Sequence, residues 1–254
     1  MALSRRVFAL SGLSCAALQA EPQRPLVLLV DSATEWPMAR FAGDSVVGGM
    51  SLELGQLLAG QLGRPVRAIA RPRRRMLRTL VEGEADWVCT YLQAWLPGPL
   101  RWSKGFFLQE DVIVSRADHA RPQRLRDLRG RRIGTVLGFV YPELESALGV
   151  GFVREDAPSS EANLRKLAAG RVAHAAVSRR ALDVALREGL LRVAVHPALP
   201  VARHLTQCAL GPHAPLPIEQ LDQAIDAIQR DGSLQALYRR YAADDSSTRS
   251  SSRP

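Results

Sequence analysis

The chain has 254 residues, of which 46% are hydrophobic and 23% charged, with 19 Gly and 16 Pro. That is enough apolar material for one large or two small packed domains, and it excludes a disordered, collagen-like or coiled-coil chain. The formal charge is +9, but only Lys104 and Lys166 are lysines, and the arginine run 71–78 is broken by Pro72 and lacks interleaved aromatics, so the charge does not predict a nucleic-acid surface.

Residues 1–20 place Arg5-Arg6 before an apolar stretch from Val7 to Leu18 and a small residue, Ala20. That order predicts a secretory signal peptide cleaved after Ala20, and the stretch is too short to anchor in a bilayer. Ser4-Arg-Arg-Val-Phe8 also resembles the twin-arginine motif, so either the general or the twin-arginine export route is compatible. Export leaves Cys89 and Cys208, which stand either as a disulfide or as two small buried hydrophobes. Neither has a Cys or His at ligand spacing, and no metal site is expected.

Beyond the signal, Leu26–Asp31 reads as a strand buried on both faces, followed by a helix from Met50 to Leu62 that stops at Gly63. A strand at 66–70, a helix at 74–82 and a strand at 86–90 continue the alternation of an open α/β sheet. Val112–Arg116 is a further strand, after which the pattern restarts. A helical turn at 125–128, a strand at 132–136, a helix at 142–148 and a strand at 150–153 follow. Next come a helix at 159–169 capped by Ser159 or Ser160, a strand at 174–178 and a helix at 180–188. A strand at 205–210 and helices at 218–229 and 234–241 close the fold, and 244–254 reads as a disordered tail.

The predicted architecture is therefore two α/β lobes, with lobe one at 21–114 and 200–243 and lobe two inserted at 115–199. Two crossover connections, near 112–116 and 199–204, join the lobes and form a cleft at the strand ends, where such sheets bind ligands. Lobe two carries 15 basic and 9 acidic residues. That excess fits an anionic ligand, an acidic docking surface or a solvated arginine face.

The sequence also resembles the type II periplasmic solute-binding proteins, specifically the family-3 group of amino-acid-binding proteins of ABC importers. The resemblance rests on Val47-Gly-Gly-Met-Ser-Leu-Glu53, Leu80-Val-Glu-Gly-Glu-Ala-Asp86, Arg101-Trp-Ser103, Leu125–Gly134, Leu164–Val172 and Ile228–Leu234 in order over about 25–243. It implies a two-lobe receptor in the periplasm that closes on a small solute, with an inner-membrane permease as partner. A monomer is expected, with no nucleic acid and no cofactor. It also implies an arginine after the third strand and aspartates in the last strand of lobe two; here stand Trp95–Leu100, and Ala173 and Ser178. Those departures predict a polar or anionic solute other than a standard α-amino acid, since an α-amino acid would bury unpaired ionic groups.

The candidate ligand-binding residues are Trp36, Arg75, Thr90, Tyr91, Arg101, Gly138, Phe139, Tyr141 and Ser178, with Arg75 the favoured arginine. Trp36 fits equally as core, Thr90 and Tyr91 as turn residues, and the two arginines as surface charges. No Ser-His-Asp spacing, phosphate loop or metal motif occurs, and loops 90–93 and 138–141 lack a carboxylate or His. No catalytic residue is expected. Alternatives on the same fold are a sensor or partner protein without transport, and a cyclohexadienyl dehydratase-like enzyme.

Overall fold

The computed structural model of the protein describes residues 24–43 and 45–241. The expected signal at 1–20 and tail at 244–254 lie outside the described residues. In chain order the elements are β1 (Leu26–Asp31), β2 (Arg40–Ala42), β3 (Ser45–Gly48), α1 (Met50–Gln61), β4 (Val66–Arg71), α2 (Arg73–Val81), β5 (Trp87–Tyr91), β6 (Arg101–Trp102) and β7 (Phe107–Ser115). They continue with β8 (Arg132–Val136), α3 (Pro142–Leu148), β9 (Val153–Ala157), α4 (Ser160–Ala168), β10 (His174–Ser178), α5 (Arg179–Arg187), β11 (Leu199–Leu210), α6 (Ile218–Arg230) and α7 (Ser233–Tyr241).

The strands lie in the order β2-β3-β4-β1-β5-β11-β7-β10-β8-β9, with β6 beside β11. In the first half β1 is parallel to β4 and β5. In the second half β8 is parallel to β9 and β10. Parallel strands need helices on both faces, and each half has them. Met50, Leu54 and Leu58 of α1 pack with Ile225, Ile228 and Leu237 on one side of the first half. Met76 and Leu80 of α2 cover its other side. In the second half Leu164, Leu167 and Leu182 of α4 and α5 oppose Leu144 and Leu148 of α3.

Two strands tie the halves together. β7 and β11 pair antiparallel from Phe107↔Thr206 to Ile113↔Leu199. β7 then pairs onward with β10, while β11 pairs onward with β5. Cys89 and Cys208 are opposite each other in the β5–β11 register and form a disulfide that closes a loop of 119 residues.

Most predicted elements stand within a residue or two of their expected limits, and the exceptions have local causes. The strand expected at 150–153 starts instead at Val153. Gly149–Gly151 forms a 3-10 turn, with Gly149 at φ 53 and Val150 fully exposed. β7 begins at Phe107 rather than Val112 because Gln109-Glu110-Asp111, polar enough to read as a loop, lies within the two-strand ribbon. β11 begins at Leu199, and Pro200 is accommodated at a register shift near the strand's start. The short β2–β3 hairpin and β6 carry too few residues to show a period.

Candidate functional site

The carboxyl ends of β1, β4 and β5 face the carboxyl ends of β8 and β10 across a cavity of about 140 Å³. In the first wall the turn after β1 supplies Thr34, Glu35 and Trp36, the start of α2 supplies Arg73, and the end of β5 supplies Thr90 and Tyr91. In the second wall Val136, Phe139, Val140, Tyr141 and Glu143 follow β8, and Ser160 and Ser178 stand at helix starts. Gln109 and Asp111 of β7 and Val201 of β11 complete the lining. Helix starts gather there because each parallel strand hands the chain to a helix at its carboxyl end, which aims free backbone N–H groups into the gap.

Charge is handled unevenly around this cavity. Arg73 Nε lies 2.9 Å from Oδ2 of Asp31, a carboxylate only 2% exposed. Burial pushes the Asp31 carboxyl up and Arg73 opposes that shift. The Arg73 guanidinium also sits 4.6 Å from the Tyr91 ring and 4.2 Å from the Phe139 ring, one on each wall. Gly138, at φ 80, makes the turn that brings Phe139 over it, and a Cβ there would meet the Arg73 side chain at 3.4 Å. Glu35 crosses the cleft and accepts a hydrogen bond from the Glu161 backbone N–H in the first turn of α4. Burial raises the Glu35 carboxyl, against hydrogen bonds from Ser159 and Glu161.

On the cavity floor burial pushes Asp111 up to about 6, opposed by a Gln109 contact at 3.3 Å and by His204, and aided by Glu143. His204 Nε2 lies 3.2 Å from Glu143 Oε1 but out of line for a hydrogen bond. The His204 ring also meets Trp95 edge-on at 5.4 Å.

Of the residues singled out in the sequence, Trp36, Thr90, Tyr91, Phe139, Tyr141 and Ser178 line the cavity, and Gly138 packs on Arg73. Thr90 adopts φ 64, a conformation rare outside glycine. Its hydroxyl donates to the Cys89 carbonyl at 2.6 Å. The Tyr91 hydroxyl is buried between Met76 Sδ at 3.0 Å and Asp31 at 3.4 Å, and burial raises its pKa. Tyr141 accepts from the Val136 N–H at 2.9 Å and is pushed up to about 12 by burial. The Ser178 hydroxyl caps α5 by accepting from the Ala181 N–H.

Two expected arginines stand elsewhere. Arg75 is exposed on α2 and does not line the cavity. Arg101 turns away and donates to the Gly211 and Ala214 carbonyls. The arginine that reaches the cavity is Arg73. Pro72 caps α2 and makes Arg73 its first residue, directly after β4, which is the sequence signal that marks it. The anionic ligand also loses its support, because no arginine or lysine of 115–199 lines the cavity. Asp111 was hidden by the late start assigned to β7, and it stands opposite Ser178 in the β7–β10 register.

Among the described residues no group of His, Cys, Asp and Glu is arranged to hold a metal ion, and no helix is long and apolar enough to cross a membrane. No family model and no curated protein matches the chain. Solved structures do resemble it. A histidine kinase sensor domain with similarity to periplasmic binding proteins superimposes with a TM-score of 0.74 at 18% identity, over 88% of this chain and 98% of that one. An ancestral arginine-binding protein bound to arginine gives 0.71 at 18% identity, over 87% and 100%. The substrate-binding protein of an amino acid ABC transporter gives 0.66 at 14% identity, over 86% and 99%. With two α/β halves joined by β7 and β11 around one cavity, the chain has the two-lobe fold of the type II periplasmic binding proteins.

Proposed function

We propose that the protein is a periplasmic solute-binding receptor that closes its two lobes on a small polar molecule other than a standard α-amino acid. The observation that carries this reading is the cavity itself. It lies where two facing sets of parallel strand ends meet, it has aromatic side chains on both walls, and it spans the only two strands that run through both halves among the described residues. Closure buries the solute and moves β7 and β11 as the hinge, so ligand affinity for the closed form shifts the population toward it. Export through the amino-terminal signal and delivery to an ABC permease complete the reading. The α-amino-acid grips are missing, since Arg73 is already paired with Asp31 and Ser178 stands where the family resemblance implies an aspartate.

A sensor role without transport is the second reading, favoured by the resemblance to a histidine kinase sensor domain. Both readings share the closing cleft. The test is a thermal-shift screen of amino acids, carboxylates, amines and aromatic acids, followed by solution scattering with the compound that stabilises most. Compaction at saturation is expected, and unchanged dimensions would count against closure. Pull-down of a permease complex in the presence of that compound then separates transport from sensing.

A further inference from the structure

We infer that the solute of this cleft carries a positively charged nitrogen and no carboxylate, and that Asp111 is its counter-ion. The inference rests on the receptor reading above and names the chemistry of its ligand.

The cavity holds more negative charge than its own cations balance. Three carboxylates, Glu35, Asp111 and Glu143, line the cavity against a single cation, Arg73. Arg73 is held by Asp31 at 2.9 Å and stacked between two rings. Glu35 is satisfied by the first turn of α4. Glu143 faces His204 at 3.2 Å without a hydrogen bond between them. Asp111 has the long Gln109 contact at 3.3 Å as its one side-chain hydrogen bond among the described residues, and His204 bears on its charge, but no lysine or arginine pairs with it there. Asp111 is half-buried; a carboxylate partly withdrawn from water without a counter-charge is costly, and a cation delivered by the solute removes that cost.

The walls fit the same charge. The rings of Trp36, Tyr91, Trp95 and Phe139 border the cavity, and ring faces attract cations; Arg73 already uses one face each of Tyr91 and Phe139, and Arg40 one face of Trp36. A carboxylate in the same space would meet the acidic lining, or would have to draw Arg73 away from the buried Asp31. A zwitterion gains at one end and loses at the other.

Three compounds sharing one skeleton test this: phenethylamine, phenylalanine and 3-phenylpropionate, with putrescine and succinate as an aliphatic pair. Titration calorimetry at neutral pH should show an amine binding at least about tenfold more tightly than its zwitterionic or anionic counterpart. Asp111→Asn should weaken that amine about 30-fold or more. The comparison among compounds uses the wild-type chain, so it stands even if the variant does not fold. Tighter binding of a carboxylate or amino acid, or an unchanged amine affinity in a folded Asp111→Asn protein, overturns the inference. If such a carboxylate also compacts the chain, the receptor reading survives without it. Absence of binding across the whole series overturns both for these ligand classes.

Discussion

The two walls of the cleft use the same device, strand ends followed by helix starts, with opposite chemistry. The first wall is charged: Glu35 and Arg73 line it, and Asp31 is buried against Arg73. The second wall is more apolar, with Val136, Phe139, Val140 and Leu144 beside the polar Tyr141, Ser160 and Ser178 and one carboxylate, Glu143. The difference teaches how the halves hold together. Charges on the first wall are completed by groups on the second, as Glu35 is by α4 and Arg73 by the Phe139 ring. Asp111, on the strand between the walls, has no lysine or arginine partner among the described residues and is left for something else.

The strongest way to break this contrast is to remove the first wall's cation. Arg73→Ala leaves Asp31 buried without its partner and should cost about 3–5 kcal/mol at neutral pH, read as a lowered midpoint in denaturant unfolding. Restoration of much of that loss by adding Asp31→Asn would identify the orphaned charge as the cause; an Arg73→Ala cost below about 1 kcal/mol would mean the pair is solvated.

Asp111 predicts a change of opposite sign. Its carboxyl is raised to about 6 by burial, with Gln109 beside it on β7, His204 on β11 and Glu143 on α3 bearing on its charge. A carboxyl raised on folding favours the folded state below its unfolded pKa, and that contribution is lost as pH rises through the folded value. Asp111→Asn should therefore melt higher than wild type at pH 7 by about 1–3 kcal/mol. The gap should shrink between about pH 6 and pH 4. Thermal unfolding across that range checks it, and a variant less stable than wild type at pH 7 would contradict it.

The smallest effect belongs to Arg75. It is exposed on the outer side of α2, so Arg75→Ala should change stability by no more than about 0.5 kcal/mol and leave solute affinity unchanged. Calorimetry with the compound that binds wild type reads this directly. A marked loss of affinity would bring Arg75 back to the cleft.

The sequence alone determined the alternating strands and helices, the restart of the pattern after Val112 and the aromatic side chains at strand ends. Those features are written in short-range periodicity and in Gly and Pro punctuation, which a linear reading captures. It also placed Cys89 and Cys208 in strands, but their pairing needed the β5–β11 register. Tertiary structure decided which charges matter. Arg73, Arg74 and Arg75 are equivalent in composition, and only the direction of the first turn of α2 after β4 sends Arg73 into the cavity. Asp111 lies outside the strand expected at 112–116, and only the pairing of β11 with β7 makes Gln109-Glu110-Asp111 part of a strand. The basic excess of 115–199 was legible, yet its position outside the cleft was not. Net charge is a sum over residues, whereas ligand chemistry depends on the few charges that folding turns into the cleft and leaves unpaired.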